Sequence, residues 1–91
     1  MPETAVIRIK RLRIRSWRRG MKEMDLILGR YADACLGGLG PAALNAYEAL
    51  LGENDQDLLA WVTGAAPVPD MHRAALDAVR AWRGAGPAAS Q

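Results

Sequence analysis

The stretch from Val6 to Asp25, VIRIKRLRIRSWRRGMKEMD, decides the fold, because its pattern is compatible with either a β-strand or a helix. Ile7 and Ile9 share one parity and the next apolar pair, Leu12 and Ile14, shares the other, so a strand would turn its apolar side chains to the opposite face midway. In a helix, most of these apolar side chains lie on one broad stripe, although Ile9 and Leu12 lie off it. The stripe consists of Ile7, Ile14, Trp17, Met21, Met24, Leu28 and Tyr31. No other segment has strand character, and a lone strand has nothing to pair with, so helix is predicted.

The rest of the chain contains three more helices and clear breaks between them. The segment DACLGGLG (33–40) ends the second helix, and Pro41 opens a third that runs to about Leu51. Asn54 caps a fourth helix, which Gly64 ends. The fifth runs from about Pro69 to Arg83. Inward positions are predicted at Leu44, Tyr47 and Leu51 in the third helix, and at Met71, Ala75, Val79 and Trp82 in the fifth.

These elements predict an all-α fold, a small five-helix bundle in a single domain. The domain is expected to cover residues 1–84, with a disordered C-terminal tail at 85–91. Gly20 falls inside or between the first two helical stretches, roughly where a bend is expected. Trp61 and Trp82 are predicted to lie in the core, and the place of Trp17 is left open.

The net charge of +2 conceals a strong asymmetry along the chain. Residues 1–22 carry eight Lys and Arg against Glu3 alone, a net +7, whereas residues 23–91 carry four Arg and nine acids, a net −5. Such a split indicates either an anionic partner for the first quarter of the chain or a solvated basic face. The single cysteine, Cys35, is predicted to be a buried small side chain in a reducing compartment, so the chain is interpreted as cytoplasmic. The longest uncharged stretch, 34–47, is too short to span a membrane, and no membrane partner is expected.

A search for catalytic chemistry finds no supported site. His72 is the one histidine and has no partner Ser, Cys or second His in sequence reach, which argues against a catalytic triad or a metal site. The segment GLGPAA (38–43) matches a dinucleotide-binding pattern, but that pattern functions between a strand and a helix, and a helix precedes it here. The segment ENDQDLLAWVTG (53–64) lacks the Gly and Glu of a calcium loop. No catalytic residue, no metal and no enzymatic activity are therefore predicted.

The segment RRGMKEMD (18–25) is the remaining candidate. On a helix beginning near Gly20, Arg19 and Glu23 are four residues apart and are predicted to pair across one turn. A glycine at position 20 removes side-chain bulk and lets another backbone approach closely. An ordinary helix junction with a surface ion pair explains the same residues.

At these residues the sequence resembles the SdhE family, also called succinate dehydrogenase assembly factor 2. RSWRRGMKEMDLILGRYAD contains the family motif R-G-x-x-E at Arg19, Gly20 and Glu23, followed by Asp25. A second segment resembles the family's L-L…D-L-x-x-W pattern, so the likeness covers roughly residues 12–64. The matching residues of that segment are Leu50, Leu51, Asp57, Leu58, Trp61 and Gly64. The Ile- and Arg-rich residues 1–11 and Gln56 depart from the pattern.

The resemblance implies a small five-helix bundle that is not itself an enzyme, and the chain is predicted to be a monomer. It implies binding to the flavoprotein subunit of succinate dehydrogenase, and also of fumarate reductase, and promotion of the covalent attachment of FAD to that subunit. FAD then belongs to the client, and the chain holds no cofactor of its own. The residues expected to bind the client are Arg15, Arg18, Arg19, Gly20, Glu23 and Asp25. The main alternative is a nucleic-acid-binding protein that uses Arg8 to Lys22 as a phosphate-contacting helix, which the acidic remainder of the chain disfavours. A toxin-neutralising partner is a third possibility, supported by small size alone.

Overall fold

The computed structural model describes residues 3–85, and these residues form five α-helices and two short 3₁₀ turns without a strand. The predicted all-α fold is confirmed. The last helix ends at Ala85, and the remainder of the predicted disordered tail, residues 86–91, lies outside the described residues. The helices are α1 (Ala5–Trp17), α2 (Lys22–Cys35), α3 (Pro41–Leu51), α4 (Asp55–Thr63) and α5 (Arg73–Ala85), with 3₁₀ turns at Leu36–Gly38 and Asp70–His72.

Most helix ends lie where the sequence predicts them. Pro41 occupies the first turn of α3, where its missing N–H costs no hydrogen bond. The Asn54 side chain accepts a hydrogen bond from the backbone N–H of Asp57 and caps α4. Gly64 ends that helix in the left-handed conformation, with φ 81°. The Thr4 hydroxyl caps α1 by accepting from the backbone N–H of Ile7, a start that the sequence did not indicate.

The core is made mainly of leucines that all five helices contribute. Tyr47 lies at its centre, where its hydroxyl lies 2.6 Å from the hydroxyl of the buried Ser16 and donates more weakly to the carbonyl of Leu28. Burial raises the pKa of the Tyr47 phenol far above its ordinary value. These contacts join α1, α2 and α3 in one polar network inside an apolar core. Core residues include Leu12, Met24, Leu28, Leu36, Leu44, Leu50, Leu51, Leu58, Leu76 and Val79.

The predicted inward face of α1 is wrong. Ile7 and Ile14 are each 55% exposed, whereas Leu12, which lies off the predicted stripe, is fully buried and Ile9 packs against the core. The physical reason is the non-helical segment 18–21, which breaks the 100° periodicity, so the phase of α2 does not continue into α1. Met71, also predicted to face the core, is 72% exposed because it lies in the 3₁₀ turn that precedes α5.

Of the predicted tryptophans, Trp61 is buried and Trp82 is half-buried against the core. Cys35 is also half-buried, and burial raises the pKa of its thiol. Within residues 3–85, no helix combines the length and the apolar composition that crossing a membrane requires.

Candidate functional site

The R-G-x-x-E motif begins in the turn between α1 and α2, residues 18–21, which contains Arg19 and Gly20, and it ends at Glu23 in the first turn of α2. Gly20 adopts φ 95°, in the left-handed region that side chains with a Cβ rarely enter. A Cβ built at Gly20 would meet no heavy atom within 4 Å. Glycine is therefore required by the backbone of the turn, and the space in front of it is open to a partner.

Arg19 anchors this turn to the end of α3 and the start of α4. Its side chain is only 11% exposed, and its Nε donates to the Asp55 carboxylate over 2.8 Å. The two terminal nitrogens donate to the backbone carbonyls of Leu51 and Glu53. The guanidinium thus satisfies carbonyls in and just beyond the last turn of α3 together with an acid in the first turn of α4.

The predicted ion pair between Arg19 and Glu23 is wrong. Arg19 precedes α2 by three residues, so the i,i+4 geometry of a helix does not apply to it. Asp25 contacts Arg19 instead, accepting a hydrogen bond from its backbone N–H over 2.6 Å. Asp25 therefore fixes the path of the turn from inside the first turn of α2, where a carboxylate also suits the positive helix end.

A second cluster surrounds Glu48 on α3. Arg8, Arg11 and Arg15 of α1 lie within 3.0, 2.9 and 3.8 Å of its carboxylate, and Arg11 also pairs with Glu3. The hydrogen bond from Arg11 is the main reason that the pKa of Glu48 lies below its ordinary value. One carboxylate on α3 thus holds three cations of α1 against the bundle.

Five of the eight basic residues in the first quarter of the chain form ion pairs within the described residues: Arg8, Arg11, Arg13, Arg15 and Arg19. Lys10, Arg18 and Lys22 have no such partner in residues 3–85, and all three are exposed. The +7 segment therefore offers fewer phosphate contacts than its charge indicates, which weakens the nucleic-acid alternative.

The residues expected to bind a partner fall into two groups. Arg18 and Glu23 are exposed and lie two residues before and three residues after Gly20, which is itself exposed. Arg15, Arg19 and Asp25 direct their polar groups into contacts within the chain. Sequence reasoning placed all six together and missed Asp55 and Glu48, which lie more than 30 residues away and carry no local signal.

Other residues considered in the sequence take part in structure. His72 is buried, its Nε2 lies 2.6 Å from the Glu53 carboxylate, and its ring packs against Trp61. The segment 38–43 joins a 3₁₀ turn to α3, so it lacks the strand that a dinucleotide-binding turn follows. No group of three or more metal-ligating side chains occurs within residues 3–85.

Comparison with known proteins agrees with the motif. A family model described as Sdh5, flavinator of succinate dehydrogenase, matches residues 10–83. Similar proteins named succinate dehydrogenase assembly factor 2, mitochondrial, occur in Scheffersomyces stipitis (39% identity over 71 residues, 75% of this chain and 48% of that protein) and Debaryomyces hansenii (39% over 69 residues, 70% and 49%). A third, in Meyerozyma guilliermondii, is 38% identical over 71 residues, 75% of this chain and 53% of that protein.

The chain spans about half the length of these curated relatives. No solved structure matches it. The family match covers most of the chain and includes α1 from residue 10 onward, the motif turn, the Arg19 anchor and most of α5. The chain therefore belongs to the Sdh5 family, the flavinators of succinate dehydrogenase.

Proposed function

We propose that this protein is an assembly factor that binds the flavoprotein subunit of succinate dehydrogenase and promotes covalent attachment of FAD to it. The flavoprotein of fumarate reductase is proposed as a second client. The observation that supports the proposal most directly is the family match over residues 10–83, which contains the R-G-x-x-E motif with its Gly20 and Glu23 exposed. The chain is proposed to act as a cytoplasmic monomer.

The exposed half of the motif is proposed to contact the client. Arg18 and Glu23 present opposite charges on either side of Gly20, whose missing side chain leaves room for a neighbouring backbone. Arg19 and Asp25 are proposed to act indirectly, because they fix the conformation of the turn through their contacts with α4, the end of α3 and the turn backbone. Arg15 holds α1 in place through Glu48.

Such a helper needs no catalytic residue and no cofactor of its own. If the reacting groups all belong to the client, holding them aligned contributes several kcal/mol through proximity and orientation, with an upper range of about 7–11 kcal/mol for well-oriented reactions. FAD is then a substrate of the client's modification. The contribution of this chain is to bind one client conformation more tightly than the others.

The test measures covalent flavin fluorescence of the flavoprotein subunit on a denaturing gel, in cells that lack their own factor. Glu23→Lys is expected to reduce the signal strongly, because a mismatched charge at a docked interface costs about 2–5 kcal/mol, roughly 30-fold or more in affinity. The thermal midpoint should stay nearly unchanged, since Glu23 is exposed and makes no side-chain hydrogen bond or ion pair within residues 3–85.

The matched control is Arg80→Glu, which reverses an exposed charge on α5, far along the chain from the motif. It should leave the fluorescence at the wild-type level. Equal signals from wild type, Glu23→Lys and Arg18→Glu would show that the motif turn does not contact the client.

A further inference from the structure

The outer face of α1 is apolar, although it points away from the bundle. Four of the five large apolar side chains that are exposed in residues 3–85 lie on this helix: Val6 at 63%, Ile7 and Ile14 at 55% each, and Trp17 at 37%. The opposite face, which contains Leu12 and Ser16, is fully buried. Exposed apolar side chains gathered on one helix face indicate a surface that another molecule covers.

The residues of this face have the spacing of a coiled-coil seam, the row of a and d positions that contacts a partner helix. Ile7, Lys10, Ile14 and Trp17 alternate steps of three and four residues over two heptads, the a and d positions of a coiled coil. Leu12 occupies the f position opposite the seam, in agreement with its burial in the bundle. Arg13 lies at the flanking g position, where charges select the partner of a docked helix, and it also pairs with Asp33 of α2.

The charges of the seam determine which partner fits. Within Ala5–Trp17 there is no acidic residue, and Lys10 at the centre of the seam has no ion-pair partner in residues 3–85. A second copy docked through the same face would bring two such basic helices together, which is unfavourable because like charges repel. A partner with carboxylates beside its apolar positions would pair with Lys10 and suit the positive charge of α1.

A lipid surface fits less well than a protein helix. Lys10 places a charge in the middle of the apolar sector, whereas a helix that lies in a bilayer interface has its Lys and Arg on the polar face and its large apolar residues on the other. Trp17 is also fixed in place, since its ring lies against α2 at Gly29, where a Cβ would fall less than 3.0 Å from the ring carbons, and its indole N–H donates to Asp33. The Trp17 ring is therefore a fixed apolar surface at one end of the seam.

We propose that the outer face of α1 docks an amphipathic helix of a partner protein, with apolar residues at its a and d positions and Asp or Glu at its flanking positions. This surface is separate from the exposed motif residue Glu23, which lies on α2. The proposal does not depend on the client that the motif turn binds.

The test uses a synthetic three-heptad peptide with Leu at a and d and Glu at e and g, labelled with fluorescein and titrated with the full chain by fluorescence anisotropy. Saturable binding is expected. Ile14→Ser should weaken it at least tenfold without changing the charge, while circular dichroism confirms that the helices remain. Met71→Ser, which removes the one large apolar side chain that is exposed outside α1 within residues 3–83, should leave the affinity within twofold.

A second peptide with the same glutamates and Ser at every a and d position distinguishes seam docking from simple charge attraction, and it should bind at least tenfold more weakly. Equal binding of both peptides, or an affinity that Ile14→Ser leaves unchanged, would overturn the proposal. Two other results would also overturn it: Ile14-dependent binding to phosphatidylglycerol vesicles in preference to the peptide, and Ile14-dependent dimerisation in sedimentation. Glu23→Lys should leave peptide binding within twofold, so failure here is distinguishable from failure of the proposed function.

Discussion

Replacing Arg19 by alanine should unfold the protein at a much lower temperature, although this residue belongs to the motif expected to bind the client. The change removes one ion pair with Asp55 and two hydrogen bonds to the carbonyls of Leu51 and Glu53, all in a setting where the arginine is 11% exposed. Hydrogen bonds to charged groups contribute about 1.5–3 kcal/mol each, but those of one side chain are not additive. We therefore expect a loss of about 3 kcal/mol in the free energy of unfolding.

For a domain of this size, about 1 kcal/mol corresponds to about 4–8 °C in the thermal midpoint, so Arg19→Ala should lower it by about 12–24 °C. Arg19→Lys should be intermediate, because an ammonium pairs with Asp55 but lacks the planar fork that reaches both carbonyls. The adjacent Arg18 supplies the matched control, since it is exposed and without an ion-pair partner in residues 3–85. Arg18→Ala should shift the midpoint by no more than about 4 °C, because exposed substitutions of this kind change stability by about 0.5 kcal/mol or less.

Thermal unfolding followed by circular dichroism at 222 nm, with urea titration as a second measure, decides the outcome. If Arg19→Ala and Arg18→Ala unfold at the same temperature, the anchor does not stabilise the fold. The structural assignment of Arg19 would then be wrong, and its place in the motif would require direct contact with the client.

Three further substitutions test other parts of the structure. Gly20→Ala should destabilise the fold by about 1–2 kcal/mol in urea titration, because of the left-handed φ of 95°, whereas Gly37→Ala, with ordinary φ and open space, should be nearly neutral. Glu48→Gln should lower the free energy of unfolding by about 1 kcal/mol at pH 7. The folded-state pKa of Glu48 lies below its ordinary value of 4.5, so the stabilisation by its carboxylate is present above 4.5 and is lost as the pH falls through the lower folded value. The difference in stability between Glu48→Gln and wild type should therefore disappear at that low pH. Gly29→Ala should displace the Trp17 ring, shift its indole N–H resonance and cost about 1–3 kcal/mol, and an unchanged resonance would contradict the packing.

The helix count was predictable from the sequence because single residues mark the helix ends. Pro41, Asn54 and Gly64 each act through their own backbone or side chain, so their effect is local and can be predicted from the sequence. The face that α1 buries was not predictable in the same way. It depends on how Leu12 and Ser16 pack against α2 and α3. The predicted apolar stripe treated α1 and α2 as one continuous helix, but the chain is not helical around Gly20.

The candidate site shows the same division. The motif itself is visible in the sequence, but the partner of Arg19 was predicted as Glu23, four residues on, whereas it is Asp55, 36 residues on. One local signal argued against that pairing, because Glu23 and Asp25 together suit the first turn of a new helix that starts after Arg19. The tertiary partners of the other arginines, above all Glu48, have no counterpart in local spacing.

The first quarter of the chain thus uses its positive charge in two ways. Arg8, Arg11 and Arg15 converge on Glu48, and Arg19 ties α3 to α4, so these cations hold the bundle together. Lys10, Arg18 and Lys22 remain exposed. A loss of flavinylation on changing Arg19 would therefore not identify a contact with the client, because the fold would be weakened at the same time. Loss on changing Arg18 or Glu23, with an unchanged thermal midpoint, would identify one, since those side chains are exposed and form no hydrogen bond or ion pair within residues 3–85.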